Sequence, residues 1–250
     1  MCRDCGCGDP ELVPVEIQAK ILEGNDRVAS HNRDHLAAAG ILAINLMGSP
    51  GAGKTAILER TASSFSGALR LAAITGDLAT DNDAERLIRA GIPSRSITTG
   101  TACHLDARLI HDSLHGFDLE GVGILFIENV GNLVCPAVYD LGEAANVVAL
   151  SVTEGEDKPL KYPTMFHKAD LVLITKSDLL PHLEISVDKI RENLAHVMPD
   201  PRVIEVSAKS GLGFEEWAAW LNARREQLGS ASRHHEHEHH HAHAGEPHRH

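Results

Sequence analysis

Eight residues constrain this chain more than any others. Gly48-Ser-Pro-Gly-Ala-Gly-Lys-Thr55 fits the pattern G-x-x-x-x-G-K-[ST] and directly follows the apolar run Ile41-Leu-Ala-Ile-Asn-Leu-Met47. A buried strand that ends in glycine and then opens a helix is the context this pattern requires. Backbone N–H groups of a glycine-rich turn can surround phosphate oxygens because no side chains stand in the way, and the following helix points its positive end at the anion. The expected nucleotide contacts are Gly48, Ser49, Pro50, Gly51, Ala52, Gly53, Lys54, Thr55 and Ala56. Lys54 would reach the β and γ phosphates, and the Thr55 hydroxyl would ligate Mg²⁺.

Further apolar runs follow at Leu69–Thr75, Ser94–Thr98, Val122–Glu128, Val147–Val152, Leu171–Thr175 and Val203–Val206. Helical patterns lie between most of them, at Asp81–Ala90, His104–His115 and Leu183–Val197, and Gly213–Leu228 follows the last. Strands alternating with helices predict an α/β fold, a P-loop NTPase of three layers with a mostly parallel sheet of about seven strands. Before the first strand, Val15 to Ala39 carries apolar residues at helical spacing and predicts a leading helix, irregular around Gly24. The predicted organisation is a Cys-rich arm at 1–13, a P-loop domain at 14–229 and a disordered His-rich tail at 230–250.

Charge and composition exclude several classes of partner. The formal charge is -12, which disfavours nucleic acid and anionic membranes, and aromatics at 4% leave little for base stacking. No apolar run reaches a membrane-spanning length, and the first ten residues carry no apolar signal-peptide core. A cytoplasmic chain with reduced cysteines is expected.

Acid and lysine positions at the ends of four strands extend the nucleotide reading. Glu128 ends an apolar strand and is followed by Asn129-Val130-Gly131, the Walker B arrangement. It is expected to hold Mg²⁺, and the Gly131 N–H is placed for the γ-phosphate. Asp77 also follows an apolar strand and is a second Mg²⁺-side candidate, against the plainer reading of an acid near a helix start. Lys54, Asp77, Glu128 and Gly131 form the expected catalytic set. Lys176-Ser177-Asp178 follows another strand, and Ser207-Ala208-Lys209 follows the last. A K-x-D of this kind lets the carboxylate accept two hydrogen bonds from guanine, while the lysine stem lies along the base. The usual asparagine before the lysine is replaced by Thr175, which can donate one hydrogen bond but lacks an amide.

Soft ligands gather in three places. Cys103, His104 and Cys135 all follow strands whose ends share the sheet edge with the P-loop. Two thiolates and an imidazole suit Zn²⁺ or Ni²⁺, with one position left for water or another subunit; two buried cysteines and a helix-start histidine are the bland alternative. Cys2, Cys5 and Cys7 place three thiols within six residues, with the N-terminal amine as a fourth donor. Amine plus thiolates can give the planar geometry that Ni²⁺ tolerates. The tail residues His234, His235, His237, His239, His240, His241 and His243 suit weak, multiple binding of borderline divalent ions.

Taken together, these residues resemble the HypB family, GTPases that assist nickel insertion into [NiFe]-hydrogenase. The resemblance rests on the Cys2/Cys5/Cys7 arm, Asn25, Asn32-Arg33, the P-loop and Gly76-Asp77. It rests also on Cys103-His104, Glu128-Asn-Val-Gly-Asn-Leu-Val-Cys-Pro136 and Glu154-Gly-Glu-Asp-Lys-Pro-Leu-Lys-Tyr-Pro163. It implies a P-loop GTPase of the SIMIBI class that dimerises on nucleotide or metal. It implies nickel on the amino-terminal arm and nickel or zinc at Cys103, His104 and Cys135 near the dimer interface. The partners it implies are a HypA-type nickel chaperone and the hydrogenase large-subunit precursor. A nickel store with a secondary GTPase, a related chaperone for urease or a cobalamin-dependent mutase, and a P-loop kinase are the competing readings.

Overall fold

In the computed structural model the described residues are 15–241 without 66, 79 and 101, with side chains described over 19–230. Cys2, Cys5, Cys7 and His243 lie outside the described residues, and the side chains of His234, His235, His237, His239, His240 and His241 lie outside the described side chains.

Among the described residues, seven strands form one sheet: β1 (Leu42–Gly48), β2 (Arg70–Asp77), β3 (Ser94–Thr98), β4 (Val122–Glu128), β5 (Ala145–Ser151), β6 (Leu171–Thr175) and β7 (Val203–Glu205). Their order is β3-β2-β4-β1-β5-β6-β7 and every neighbouring pair is parallel. Each expected strand is present within two residues of its expected bounds. The central strands β1 and β4 are buried at every position, whereas edge strand β3 has one buried residue of five. A strand covered on both faces must be apolar throughout, which is why these runs do not alternate with polar residues.

Among the described residues, eight α-helices cover the two faces: α1 (Val15–Ala38), α2 (Lys54–Phe65), α3 (Asn82–Arg89), α4 (Ala107–Leu114), α5 (Lys158–Lys161), α6 (Pro163–His167), α7 (Val187–Val197) and α8 (Phe214–His241). Successive strand residues point to opposite faces. Leu42, Ile44, Leu46, Ile124 and Phe126 therefore pack with Ile57 and Leu58 of α2 and Trp217 and Leu221 of α8. Ala43, Leu125 and Ile127 face Leu36 of α1 and Ile110 of α4. Met47, Val148 and Val172 face Phe166 of α6 and Ile190 of α7.

A buried asparagine fastens α1 to α4. The Asn32 amide donates to the carbonyls of Ala107 at 2.8 Å and Leu141 at 3.2 Å. Asn25 does the same work one end earlier, donating to the Asp140 carbonyl at 2.8 Å and accepting from the Ala107 N–H at 2.9 Å. The α1 helix runs unbroken through Gly24, contrary to the expected irregularity. A lone glycine costs about 1 kcal/mol relative to alanine but keeps its place in the hydrogen-bond ladder.

The other differences lie at helix starts. α4 begins at Ala107 rather than His104, because the Asp106 carboxylate caps it by accepting from Leu109 N at 2.8 Å. His104 is thereby left in the loop. α7 begins at Val187, where the Ser186 hydroxyl accepts from Lys189 N at 3.2 Å. The short α5 and α6 were not expected from the sequence; each opens with proline near its first position, where the missing N–H costs nothing. The α8 backbone continues past position 229, where the sequence suggests the domain ends.

Candidate nucleotide site and candidate metal centre

The parallel register pairs Leu46 and Thr75 with Glu128 across neighbouring strands, so the ends of β1, β2 and β4 stand level at one sheet edge. The P-loop leaves β1 there and enters α2 at Lys54. Gly51 and Gly53 hold φ of 75° and 92°, backbone that other residues enter at a cost. Gly48 is required for a different reason, since a Cβ there would collide with the Ala149 carbonyl oxygen of β5. A cleft of about 350 Å³ opens in front of this turn, lined by Lys54, Thr55, Asp77, Asp83, Arg86, Glu128 and Gly131, among others.

The cleft is built around opposed buried charges. Lys54 Nζ lies 3.3 Å from the Gly48 carbonyl and 3.4 Å from that of Ser49, and burial pushes its pKa down against the attraction of Glu128. Glu128 is 4% exposed, and burial pushes its carboxyl up to about 7, opposed by Lys54. The Thr55 hydroxyl is 2.8 Å from Glu128 Oε1 and 2.9 Å from Asp83 Oδ1; its one proton serves one acceptor at a time. Glu128 Oε2 is buried with no hydrogen-bond partner among the described residues. Asp77 lines the same cleft and accepts from Thr80 N at 3.3 Å. Hydroxyl and carboxylate oxygens, one of them buried and unsatisfied, are the donors a small hard cation such as Mg²⁺ takes.

Asp83 and Arg86 were not foreseen. Both sit on α3, which tertiary packing brings to the P-loop, and nothing in the run Asp81-Asn-Asp83 marks it out from an ordinary helix start. Arg86 is forked onto Glu59, at 3.1 Å and 2.8 Å. Glu154 was likewise unassigned to the P-loop, yet it accepts a short hydrogen bond from the Ser49 hydroxyl.

On the other side of the turn, Thr175 donates to the Ala52 carbonyl at 2.6 Å and ties β6 to the P-loop. Lys176 takes a left-handed backbone, φ 57°, and its Cε reaches to 4.0 Å from the Cβ position of Gly53. Asp178 Oδ1 accepts from the Ser207 hydroxyl at 2.7 Å, which also accepts from Ser210 N. Thus Lys176, Asp178 and Ser207 meet at one flank of the P-loop, with Ala208 and Lys209 continuing the same segment. Ala208 and Lys209 share a surface pocket with Ala56.

Cys103, His104 and Cys135 also converge: their donor atoms all lie within 4.8 Å of one another. The two sulfurs are 2.9 Å apart, too far for a disulfide of about 2.05 Å. His104 stacks on Tyr139 with ring centres 4.0 Å apart, and burial pushes its pKa down, toward the neutral imidazole that a metal takes. This centre is joined to the P-loop through Asn132. Asn132 bridges backbone-to-backbone with Gly48, and its amide donates to the Cys103 carbonyl at 3.4 Å. A Cβ on neighbouring Gly131 would come within 2.9 Å of Pro50, so the two loops touch. Beneath them, Asn129 accepts from Leu105 N at 3.3 Å and donates to Asn45 at 3.2 Å.

The CobW/HypB/UreG nucleotide-binding domain family matches residues 42–205. The hydrogenase maturation factor HypB of Azotobacter vinelandii is 52% identical over 212 residues, covering 84% of this chain and 70% of that protein. The crystal structure of HypB from Archaeoglobus fulgidus superposes with a TM-score of 0.76 at 41% identity, over 82% of this chain and 100% of that one. The structure of Helicobacter pylori HypB in complex with nickel gives a TM-score of 0.78 at 38% identity, over 82% and 96%. On this match and these relatives together, the chain belongs to the CobW/HypB/UreG family of P-loop GTPases and, within it, to the HypB branch.

Proposed function

We propose that the chain is a nickel metallochaperone in hydrogenase maturation, in which GTP hydrolysis times the release of the ion to the [NiFe]-hydrogenase large-subunit precursor. The names and the nickel-bound structure of its relatives support this reading, and one observation carries the coupling: Asn132 touches both the start of the P-loop and the Cys103 loop.

In this reading the P-loop backbone and Lys54 hold the phosphates, and Thr55, Glu128 and Asp77 hold Mg²⁺ while Asp83 stands behind Thr55. When bound, Mg²⁺ neutralises charge on the phosphate oxygens. Gly131 offers its N–H to the γ-phosphate, and Asp178 accepts from guanine beside Ser207, Ala208 and Lys209. Nickel is cargo: Cys2, Cys5 and Cys7 hold it tightly, and the tail histidines hold it weakly and in multiples. Nickel or zinc binds at Cys103, His104 and Cys135, whose spacing shifts when the γ-phosphate draws Gly131 and Asn132 toward it. Such coupling can be no larger than the difference in metal affinity between the two nucleotide states. Dimerisation across the nucleotide and hand-over from a HypA-type chaperone complete the cycle.

The test is a set of nickel and zinc titrations on the full chain with GDP and with a non-hydrolysable GTP analogue. Cys135→Ala should remove the nucleotide-linked change in metal binding and leave the tightest nickel step, at the arm, intact. Nucleotide dependence that survives in Cys135→Ala would refute the coupling.

A further inference from the structure

Away from both sites, three imidazoles meet on the outer face of α1 and α4. His111 lies in the last turn of α4, and His115, four residues on, caps that helix's C-terminal end. Their Nε2 atoms are 3.0 Å apart and their rings nearly perpendicular at 88°. His31 of α1 meets the His111 ring edge-on, with centres 5.2 Å apart.

The tautomer of His111 follows from its neighbour. Asn32 spends its amide hydrogens on the carbonyls of Ala107 and Leu141, so its Oδ1, 3.1 Å from His111 Nδ1, can only accept. His111 must therefore carry its proton on Nδ1 and present a bare lone pair at Nε2. A ring nitrogen fixed by a buried oxygen in this way is how proteins orient metal-binding histidines. We propose that His111 and His115 form a two-histidine divalent-metal site separate from the cysteine centre, its remaining positions filled by water.

The contact is short enough for one ion to take the place of the proton between the rings: at metal–nitrogen distances of about 2.1 Å, nitrogens 3.0 Å apart can both reach it. His115 shifts its own proton from Nε2 to Nδ1 when the ion arrives, so no net proton is released. The adjacent Asp112 carboxylate is engaged by Arg108 at 3.1 Å, leaving the imidazoles as the donor set.

The experiment uses the full chain, labelled with ¹⁵N and titrated with Ni²⁺ past saturation of its tighter sites. The amide signals of residues 111–115 should shift or broaden, and His115→Ala should abolish that response, bind one nickel fewer per chain, and keep its metal-free melting temperature. Signals at 111–115 that ignore nickel, or that respond equally in His115→Ala, would overturn the site. Because the readout sits on α4, loss of the cysteine centre would leave the result unchanged.

Discussion

Glu128 and Lys54 face each other in a cleft that is too dry for either charge to be comfortable. The consequence is a pH dependence with a definite sign. Below the ordinary carboxylate value, folded and unfolded chains both hold the Glu128 proton. From about 4.5 to about 7 the unfolded chain releases it while the folded one keeps it, so stability falls across that window by up to about 3 kcal/mol and then levels. Glu128→Gln should flatten this fall in urea denaturation without nucleotide or Mg²⁺; an unchanged slope would mean the carboxyl is ionised throughout. Lys54→Ala should abolish GTP hydrolysis, read as phosphate release, by removing the phosphate-facing charge. Asp178→Asn should weaken GTP far more than ATP in competition binding, and equal losses would contradict its guanine role. Thr175 replaces the usual asparagine, yet its hydroxyl fastens β6 to the Ala52 carbonyl. Thr175→Ala leaves that buried carbonyl unpaired and should cost about 1–3 kcal/mol of stability.

Elements explain which parts of this arrangement were legible. The strands were read from sequence because burial on both faces demands continuous apolar runs. Helix starts were misplaced where Asp106 and Ser186, polar residues that look helical in composition, serve as caps instead. The pieces α5 and α6 were missed because Pro159 and Pro163 read as breakers, although each sits at a helix start. Among site residues, Cys103, His104 and Cys135 could be grouped because strand order alone sends their loops to one edge. Asp83, Arg86 and Glu154 could not, since their approach to the P-loop is set by how α3 and the segment after β5 pack. The close contact of the Gly131 loop with Pro50 gives an element-scale prediction. A methyl group at 131 would sit 2.9 Å from P-loop backbone, so Gly131→Ala should part the two loops. Hydrolysis should drop by about tenfold or more, the equivalent of about 1.4 kcal/mol, with the fold intact by circular dichroism.

At the scale of the whole molecule, hydrolysis by the isolated chain should be slow. Arg86 lines the cleft, but Glu59 clasps its guanidinium from behind. Asn132, where some GTPases place a water-positioning glutamine, is spent on the Cys103 carbonyl and on Val134 N. A single-turnover rate about a thousandfold or more below the roughly 10 per second of activated GTPases is expected. A rate near the activated value would show that a catalytic group is already in place. The core carries its own means of watching such events. The chain has two tryptophans, and both lie on α8, stacked with ring centres 5.4 Å apart. The indole N–H of Trp217 donates at 2.9 Å to the hydroxyl of Thr61 on α2, the helix that begins at Lys54. Tryptophan emission from this protein therefore originates at a single spot, wired by one hydrogen bond to the helix that carries the phosphate-binding turn. Nucleotide exchange should therefore change the tryptophan emission of the unlabelled chain.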